Sequence, residues 1–341
     1  MKVCYELKKI GKMTWNKIKC NRRELQLVGT LNGGQSFRWE YNKEIDEWTG
    51  VFSKTVWKLR QDDENLQYKV IGTLHETSKS SKHSCDSDFF KNLLEKYFRL
   101  NFKLSDYYKE WSEKDNLFQL ACKQFYGIRM LYQEPVENLF SFICSQNNHI
   151  SRISTMVEKL CKHYGDKICE HEGTAYYAFP DVEILSSPQI ESELRDLGFG
   201  YRAKFIQKSA AQIVEWGGEK WFNSLQEMKY KDARLELMKL CGIGPKVSDC
   251  ICLMSLNHLE ALPVDTHVYQ IAAQNYLPHL KGRKSVTEKM YSEIGDHFRM
   301  LYGDMAGWAH TVLFCADLKK FQQNEDSEPT EEKPKKRKKK C

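Results

Sequence analysis

No two of the twelve cysteines stand in a C-x2-C pair, so a zinc-finger or iron–sulfur framework lacks its ligand spacing. The opening residues, MKVCYELKKIGKMTW, contain no apolar core of signal-peptide length. No uninterrupted apolar run approaches the length of a bilayer span either. Scattered thiols with neither address suit a reducing compartment, where they stay free. Charge of one sign is also scarce. The formal net charge is +6, and the stretch from Gln322 onward, with seven basic and five acidic residues, supplies +2 of it. The +4 left for the body is too little to establish a nucleic-acid partner by itself.

What is present describes an ordinary globular chain. Its 341 residues, 41% apolar and 29% charged, can bury a substantial core in two or three units. From residue 24 to about 75, the segments LQLVGTL, SFRWEY, EWTGVF, TVWKLR and LQYKVIG alternate apolar and polar residues, with Gly, Asn and Asp between them. That pattern predicts a twisted antiparallel sheet. From Asp88 the spacing becomes helical: Phe89, Leu93, Leu94 and Tyr97 recur at three- and four-residue steps, and similar stripes continue to about Leu318. The final segment has no apolar periodicity and is expected to be disordered. Its PKKRKKK run resembles a nuclear import signal and reads equally as a solvated basic tail. The expected organisation is a β-rich subdomain with a first helix (1–115), a helical domain (116–240), a hairpin-bearing helical segment (241–321) and a charged tail (322–341).

The sharpest local signal is LELMKLCGIGPKVSDCICLMSL, residues 235–256. Two helix-forming stretches flank Cys241-Gly242-Ile243-Gly244, a connection short enough to demand a tight hairpin. Gly242 and Gly244 permit positive φ and close approach by another backbone, and Pro245 suits a first helical turn. Backbone N–H groups exposed at such a helix start bind phosphate, although a GxG turn can also serve packing alone. Lys246 follows at once. A positive helix terminus disfavours an ammonium ion, which points to a neutral amine able to form a Schiff base. A plain phosphate contact is the alternative. Nineteen residues on, Asp265 precedes the helical run VYQIAAQNY and can be its N-cap. A carboxylate fixed in that way can also stabilise the oxocarbenium character of a breaking N-glycosidic bond. His267 could donate to phosphate or pack locally.

Six segments together resemble the eukaryotic 8-oxoguanine DNA glycosylases of the helix-hairpin-helix superfamily, in the family's order. They are NGGQSFRW at 32–39, LFSFICSQNNHISRI at 139–153, LGFGYRAKF at 197–205, the hairpin with Lys246, PVDTHV at 263–268 and AGWAHTVLFCADL at 306–318. The resemblance implies an α+β fold, with an N-terminal twisted antiparallel sheet packed on helix-hairpin-helix glycosylase domains. It implies Lys246 as the Schiff-base nucleophile and Asp265 as the stabilising carboxylate. Gly34 would offer its carbonyl to the N7–H that oxidised guanine has and normal guanine lacks. Cys250 and Phe314 would sandwich the extruded base, with Met254 nearby, although these read locally as core residues. Asn147, Arg152 and Arg202 would hold the orphaned cytosine and Tyr201 would fill the gap, because flipping a base costs stacking and pairing.

One position departs from the pattern: His310 stands where the family usually has glutamine. It keeps the pocket-facing place one turn before Phe314 but offers one hydrogen bond at a time, and its titration near neutrality predicts pH dependence. The implied partner is duplex DNA carrying oxidised guanine opposite cytosine, bound by a monomer with no membrane. The chemistry needs no cofactor or metal, and the expected location is the nucleus, with a mitochondrial pool left open. A glycosylase for another damaged base and a non-catalytic hairpin module remain the alternatives.

Overall fold

The computed structural model describes residues 14–75, 85–283 and 285–325, with the backbone alone for 85–87 and 318–325. A five-stranded antiparallel sheet forms first: β1 (Asn16–Lys19), β2 (Trp39–Asn42), β3 (Glu47–Phe52), β4 (Thr55–Gln61) and β5 (Asn65–Thr73), in the order β1-β5-β4-β3-β2. Ser53 and Lys54 turn β3 into β4 with φ of 48° and 50°, the mirror-image turn that matches strand twist, made here without glycine. Successive residues then bury on opposite faces. Trp57, Leu59 and Tyr68 pack with Phe90, Leu94 and Tyr97 in one cluster, while Val51, Val56 and Ile71 belong to another.

The sheet differs from expectation at two points. Leu27–Leu31, inside the predicted strand LQLVGTL, is a short helix, α1. Its Leu27, Thr30 and Leu31 are buried at i, i+3 and i+4, a spacing that so short an apolar run satisfies as readily as alternation. Tertiary bonds decide: Gln26 N donates to Gly127 O at 2.7 Å and Arg129 N to Thr30 Oγ1 at 3.1 Å. The fifth strand comes instead from Asn16–Lys19, upstream of the predicted sheet. The second difference is the hairpin β6 (Lys167–His171) and β7 (Thr174–Tyr177), within the stretch predicted to be helical. Its Ile168 and Cys169, with Ala178, cover the face of the sheet that bears Val51, Val56 and Ile71.

Helices build the rest. On the N-terminal side lie α2 (Cys85–Tyr97), α3 (Leu104–Lys114) and α4 (Asn116–Ala121), followed by α5 (Pro135–Ser145) and α6 (Ile150–Tyr164). After the β6–β7 hairpin come α7 (Val182–Leu185), α8 (Ile190–Asp196), α9 (Arg202–Glu215), α10 (Glu219–Glu227) and α11 (Tyr230–Leu237). The last are α12 (Pro245–Met254), α13 (Thr266–Asn275), α14 (Glu288–Tyr302) and α15 (Ala306–Glu325). Helix α15 runs to Glu325, so it takes in the first residues of the stretch given to the tail, and the PKKRKKK run lies outside the described residues. No described helix is long and apolar enough to cross a membrane.

The two lobes meet along the irregular stretch 128–133. Arg129 is buried there with its guanidinium fully engaged: Nη1 donates to the Arg99 and Phe102 carbonyls at 2.8 Å each, Nε to Glu24 O, and Nη2 to Glu24 Oε2 at 2.7 Å. The Glu24 carboxylate also accepts from Leu104 N and Ser105 N, which closes the start of α3. Arg129→Leu keeps the volume apolar but deprives that carboxylate of its counter-charge and three carbonyls of their donor. It is expected to lower stability by about 3–5 kcal/mol, read as a shift in the urea-unfolding midpoint.

Candidate active site

Helices α11 and α12 are joined by a tight turn that is pinned from outside. Ser209 Oγ donates to Cys241 O at 2.8 Å, Gln212 Oε1 accepts from Cys241 N at 2.8 Å, and Gln146 Nε2 donates to Gly242 O at 2.7 Å. Gly242 has φ +81° and lies flat on Phe205, where an added Cβ would come within 2.3 Å of the ring. The second glycine differs from expectation. Gly244 is extended, with φ −104° and ψ −177°, because it caps α12 rather than turning the chain. An added Cβ there would meet nothing within 4 Å. Pro245 occupies the first turn, where its missing N–H has no intrahelical acceptor to lose. The helix start therefore faces open space.

Lys246 sits half-buried on that first turn. Its ammonium nitrogen lies 4.7 Å from the centroid of the Phe142 ring, within cation–π reach. Its charge also acts on Cys250, one turn along. Burial pushes the Cys250 thiol up to about 12, partly offset by Lys246, so this sulfur is a thiol at neutral pH. Asp265 is the N-cap of α13, its Oδ1 accepting from Val268 N at 2.9 Å. One cleft of about 490 Å³ is lined by Lys246, Asp265, Cys250 and Met254. Gly34, His310 and Phe314 complete it, Gly34 at φ +72° with no neighbour within 4 Å of a built Cβ. Every residue expected to meet the extruded base or perform the chemistry thus borders the same space.

His310 corrects one expectation. It is 3% exposed, its ring edge-on to Phe298 at 5.0 Å between centroids. Burial pushes its titration down to about 4, with Asp265 offsetting part of the effect. A titration that low keeps the imidazole neutral in the physiological range, which argues against the expected pH dependence near neutrality. Its Nε2 is buried with no hydrogen-bond partner among the described residues, a costly state unless something else fills the valence.

A second group gathers around Gln146. Tyr201 OH donates to Gln146 O at 3.1 Å, and Arg202 Nη2 donates to Gln146 O and, at 3.2 Å, to Asn147 O. Arg202 is buried beneath the Tyr201 ring, 4.6 Å from its centroid, while Tyr201 is 46% exposed. Asn147 is exposed in the left-handed region at φ +45°, where asparagine is tolerated. Arg152 is exposed on the first turn of α6, its backbone N–H donating to His149 Nδ1. His267 stands apart from the hairpin, edge-on to Phe314 at 6.0 Å and 4.0 Å from Asp317 Oδ2. The sequence reading missed Gln146, which ties the hairpin to Tyr201 and Arg202. It also missed Gln35, whose amide donates to Arg129 O and accepts from Leu131 N at 2.9 Å each. Both lie inside motifs already noticed, so proximity was the only available signal.

A pinned hairpin feeding a lysine and a capping aspartate into one cleft defines a helix-hairpin-helix base-excision glycosylase. Comparison narrows the class. Residues 17–139 match the family model "8-oxoguanine DNA glycosylase, N-terminal domain", and residues 140–295 match "HhH-GPD superfamily base excision DNA repair protein". The chain is 37% identical to an N-glycosylase/DNA lyase of Saccharomyces cerevisiae, over 89% of this chain and 86% of that one. It is also 37% identical to N-glycosylase/DNA lyase OGG1 of Arabidopsis thaliana, over 92% and 83%. A crystal structure of Clostridium acetobutylicum 8-oxoguanine glycosylase/lyase, with duplex DNA containing cytosine opposite 8-oxoG, superposes with a TM-score of 0.73 at 28% identity, covering 87% and 93%. The chain belongs to the 8-oxoguanine DNA glycosylase family.

The buried imidazole has a measurable cost. Its folded value of about 4 lies below the ordinary 6.5, so the unfolded chain takes up the proton first as pH falls. The stability tied to the neutral ring is present above about 6.5 and lost toward pH 4. Over that window the wild type should lose roughly 3 kcal/mol more than His310→Gln, compared by denaturant unfolding at both ends. Between pH 6 and 8 the two proteins should show parallel rate profiles.

Proposed function

We propose that this protein excises oxidised guanine opposite cytosine and then nicks the strand, as a bifunctional N-glycosylase/DNA lyase. The observation that carries the reading is the convergence of Lys246, Asp265 and Gly34 on one cleft. The hairpin, with Gly242 and Gly244, presents the start of α12 to phosphate, where N–H groups and helix dipole favour an anion. His267, at the rim beside Phe314, is a further phosphate donor in this scheme. The lesion is extruded into the cleft, where Phe314 and Cys250 flank its faces and Met254 closes the end. A neutral thiol suits that place better than a thiolate against an electron-rich ring. Gly34 C=O accepts from N7–H, a contact that normal guanine cannot make. His310, neutral and with Nε2 unpartnered, supplies one hydrogen bond to the edge of the base.

The Lys246 amine attacks C1′ as the C1′–N9 bond breaks, the bonding pair leaving with the base and the proton shed by the attacking nitrogen passing to the departing base. Asp265 faces the positive charge that develops on the sugar, and the bond from Val268 N holds the carboxylate in place. Opening of the sugar at O4′ gives an iminium at C1′. Loss of a C2′ proton then expels the 3′ phosphate by β-elimination. Asn147, Arg152 and Arg202 hold the orphaned cytosine, and exposed Tyr201 fills the gap left in the stack. Nuclear DNA, acted on by a monomer, is the proposed setting, in keeping with the eukaryotic relatives.

Borohydride trapping on duplex DNA with 8-oxoguanine opposite cytosine tests the reading. Wild type should form a covalent adduct, and Lys246→Gln should form none. Asp265→Asn should slow base excision by about a hundredfold or more, yet still be trapped on a duplex with a preformed abasic site. No wild-type adduct, or an adduct that survives Lys246→Gln, would sink the proposal.

A further inference from the structure

The two groups assigned to the chemistry reach the cleft by different routes. Lys246 rides on α12, whereas Asp265 caps α13 after a stretch, 255–264, with no regular structure. Nothing in the local sequence fixes one against the other. One side chain from a third element bonds to both segments. Tyr291, on the first turn of α14, donates its hydroxyl proton to Asp249 Oδ2 at 2.5 Å and accepts from Val264 N at 3.2 Å. Asp249 lies three residues after Lys246 on the same helix, and Val264 immediately precedes Asp265.

The bridge is built for rigidity. Asp249 is fully buried, and Tyr291 and Val264 are buried with it. The second oxygen of Asp249 is also held: Tyr230 OH donates to Oδ1 at 2.8 Å, and Arg234 Nε lies 3.1 Å away. Burial and the Asp249 charge push the Tyr291 phenol well above its ordinary range, so it keeps its proton. With one proton to give, it favours the carboxylate at 2.5 Å over Leu262 O at 3.3 Å, and its lone pair is left for the Val264 N–H. Pro263 has no N–H, so Val264 offers the first backbone donor ahead of Asp265. Without Tyr291 that buried N–H loses its acceptor, which destabilises the observed path of the loop.

We infer that Tyr291 is a positioning residue, whose hydroxyl sets Asp265 relative to Lys246 by linking the segments that carry them. The inference rests on the roles proposed above for Lys246 and Asp265. Base excision needs both groups in register. Schiff-base formation at a preformed abasic site needs only the lysine, because no glycosidic bond remains to break. The experiment compares single-turnover excision of 8-oxoguanine with borohydride trapping on preformed abasic DNA, both normalised to active protein. Tyr291→Phe, which removes one oxygen and no volume elsewhere, should slow excision about tenfold and change abasic-site trapping by less than about twofold. Tyr230→Phe removes a donor from the same carboxylate without touching Val264, and should leave the ratio of the two activities unchanged. An equal fall in both activities in Tyr291→Phe, no fall in either, or the same selective loss in Tyr230→Phe overturns the inference. Lys246→Gln separates the levels: trapping that persists there sinks the underlying reading. Trapping that vanishes there, beside a Tyr291→Phe protein that behaves as wild type, sinks only the bridge.

Discussion

The extended stretch 128–133 is the constraint on which the cleft depends. It has too little sequence regularity to be an element, yet it is hydrogen-bonded on every side. Gln35 bonds Arg129 O and Leu131 N, Gln133 Nε2 returns to Gln35 O at 2.8 Å, and Gln133 N donates to Met254 O at 2.8 Å. Tyr132 N reaches Tyr97 O at the end of α2, and Trp308 Nε1 donates to Ile128 O from α15. One strip of chain thus ties the Gly34 loop to the far end of α12, the helix that carries Lys246 on its first turn. Gly34 and Lys246, more than two hundred residues apart in the chain, share a frame because buried polar groups must find partners.

The site divides its labour along the same logic. The cleft is largely apolar, with Asp265 held by backbone and His310 Nε2 left without a partner among the described residues, and it suits an uncharged base pressed against rings and sulfur. The group around Gln146 is the reverse: a buried guanidinium, an exposed phenol and an asparagine in a left-handed turn, facing outward. Gln146 belongs to both worlds, its side chain on the hairpin carbonyl and its own carbonyl under Tyr201 and Arg202. One side chain thus joins the hairpin to Tyr201 and Arg202.

Much of this was legible in the chain, for uneven reasons. Strand alternation marked β3, β4 and β5 because each buries opposite faces in different clusters. It misassigned Leu27–Leu31, where five residues cannot separate period two from period 3.6. The β6–β7 hairpin escaped because its strands are short and its partner surface lies a hundred residues earlier. Motif order gathered the cleft residues, yet it says nothing of burial, and burial is what moves His310 out of the physiological titration range. Tyr291, Gln133 and Arg129 carry no local mark at all, since their role is to satisfy backbone groups that only the fold brings near.

The two hairpin glycines divide the ways in which such a protein can fail. Gly242 is required by the fold, through its left-handed backbone and the ring beneath it. Gly244 is required by nothing inside the molecule: its backbone is ordinary and the space beside it is open. A side chain at 244 would leave a soluble, well-folded product that passes every test of expression and thermal melting, and the deficit would surface only when a duplex tried to settle where that side chain stands. Inherited or engineered changes at these neighbouring positions would therefore belong to different kinds of defect, one of protein abundance and one of substrate engagement.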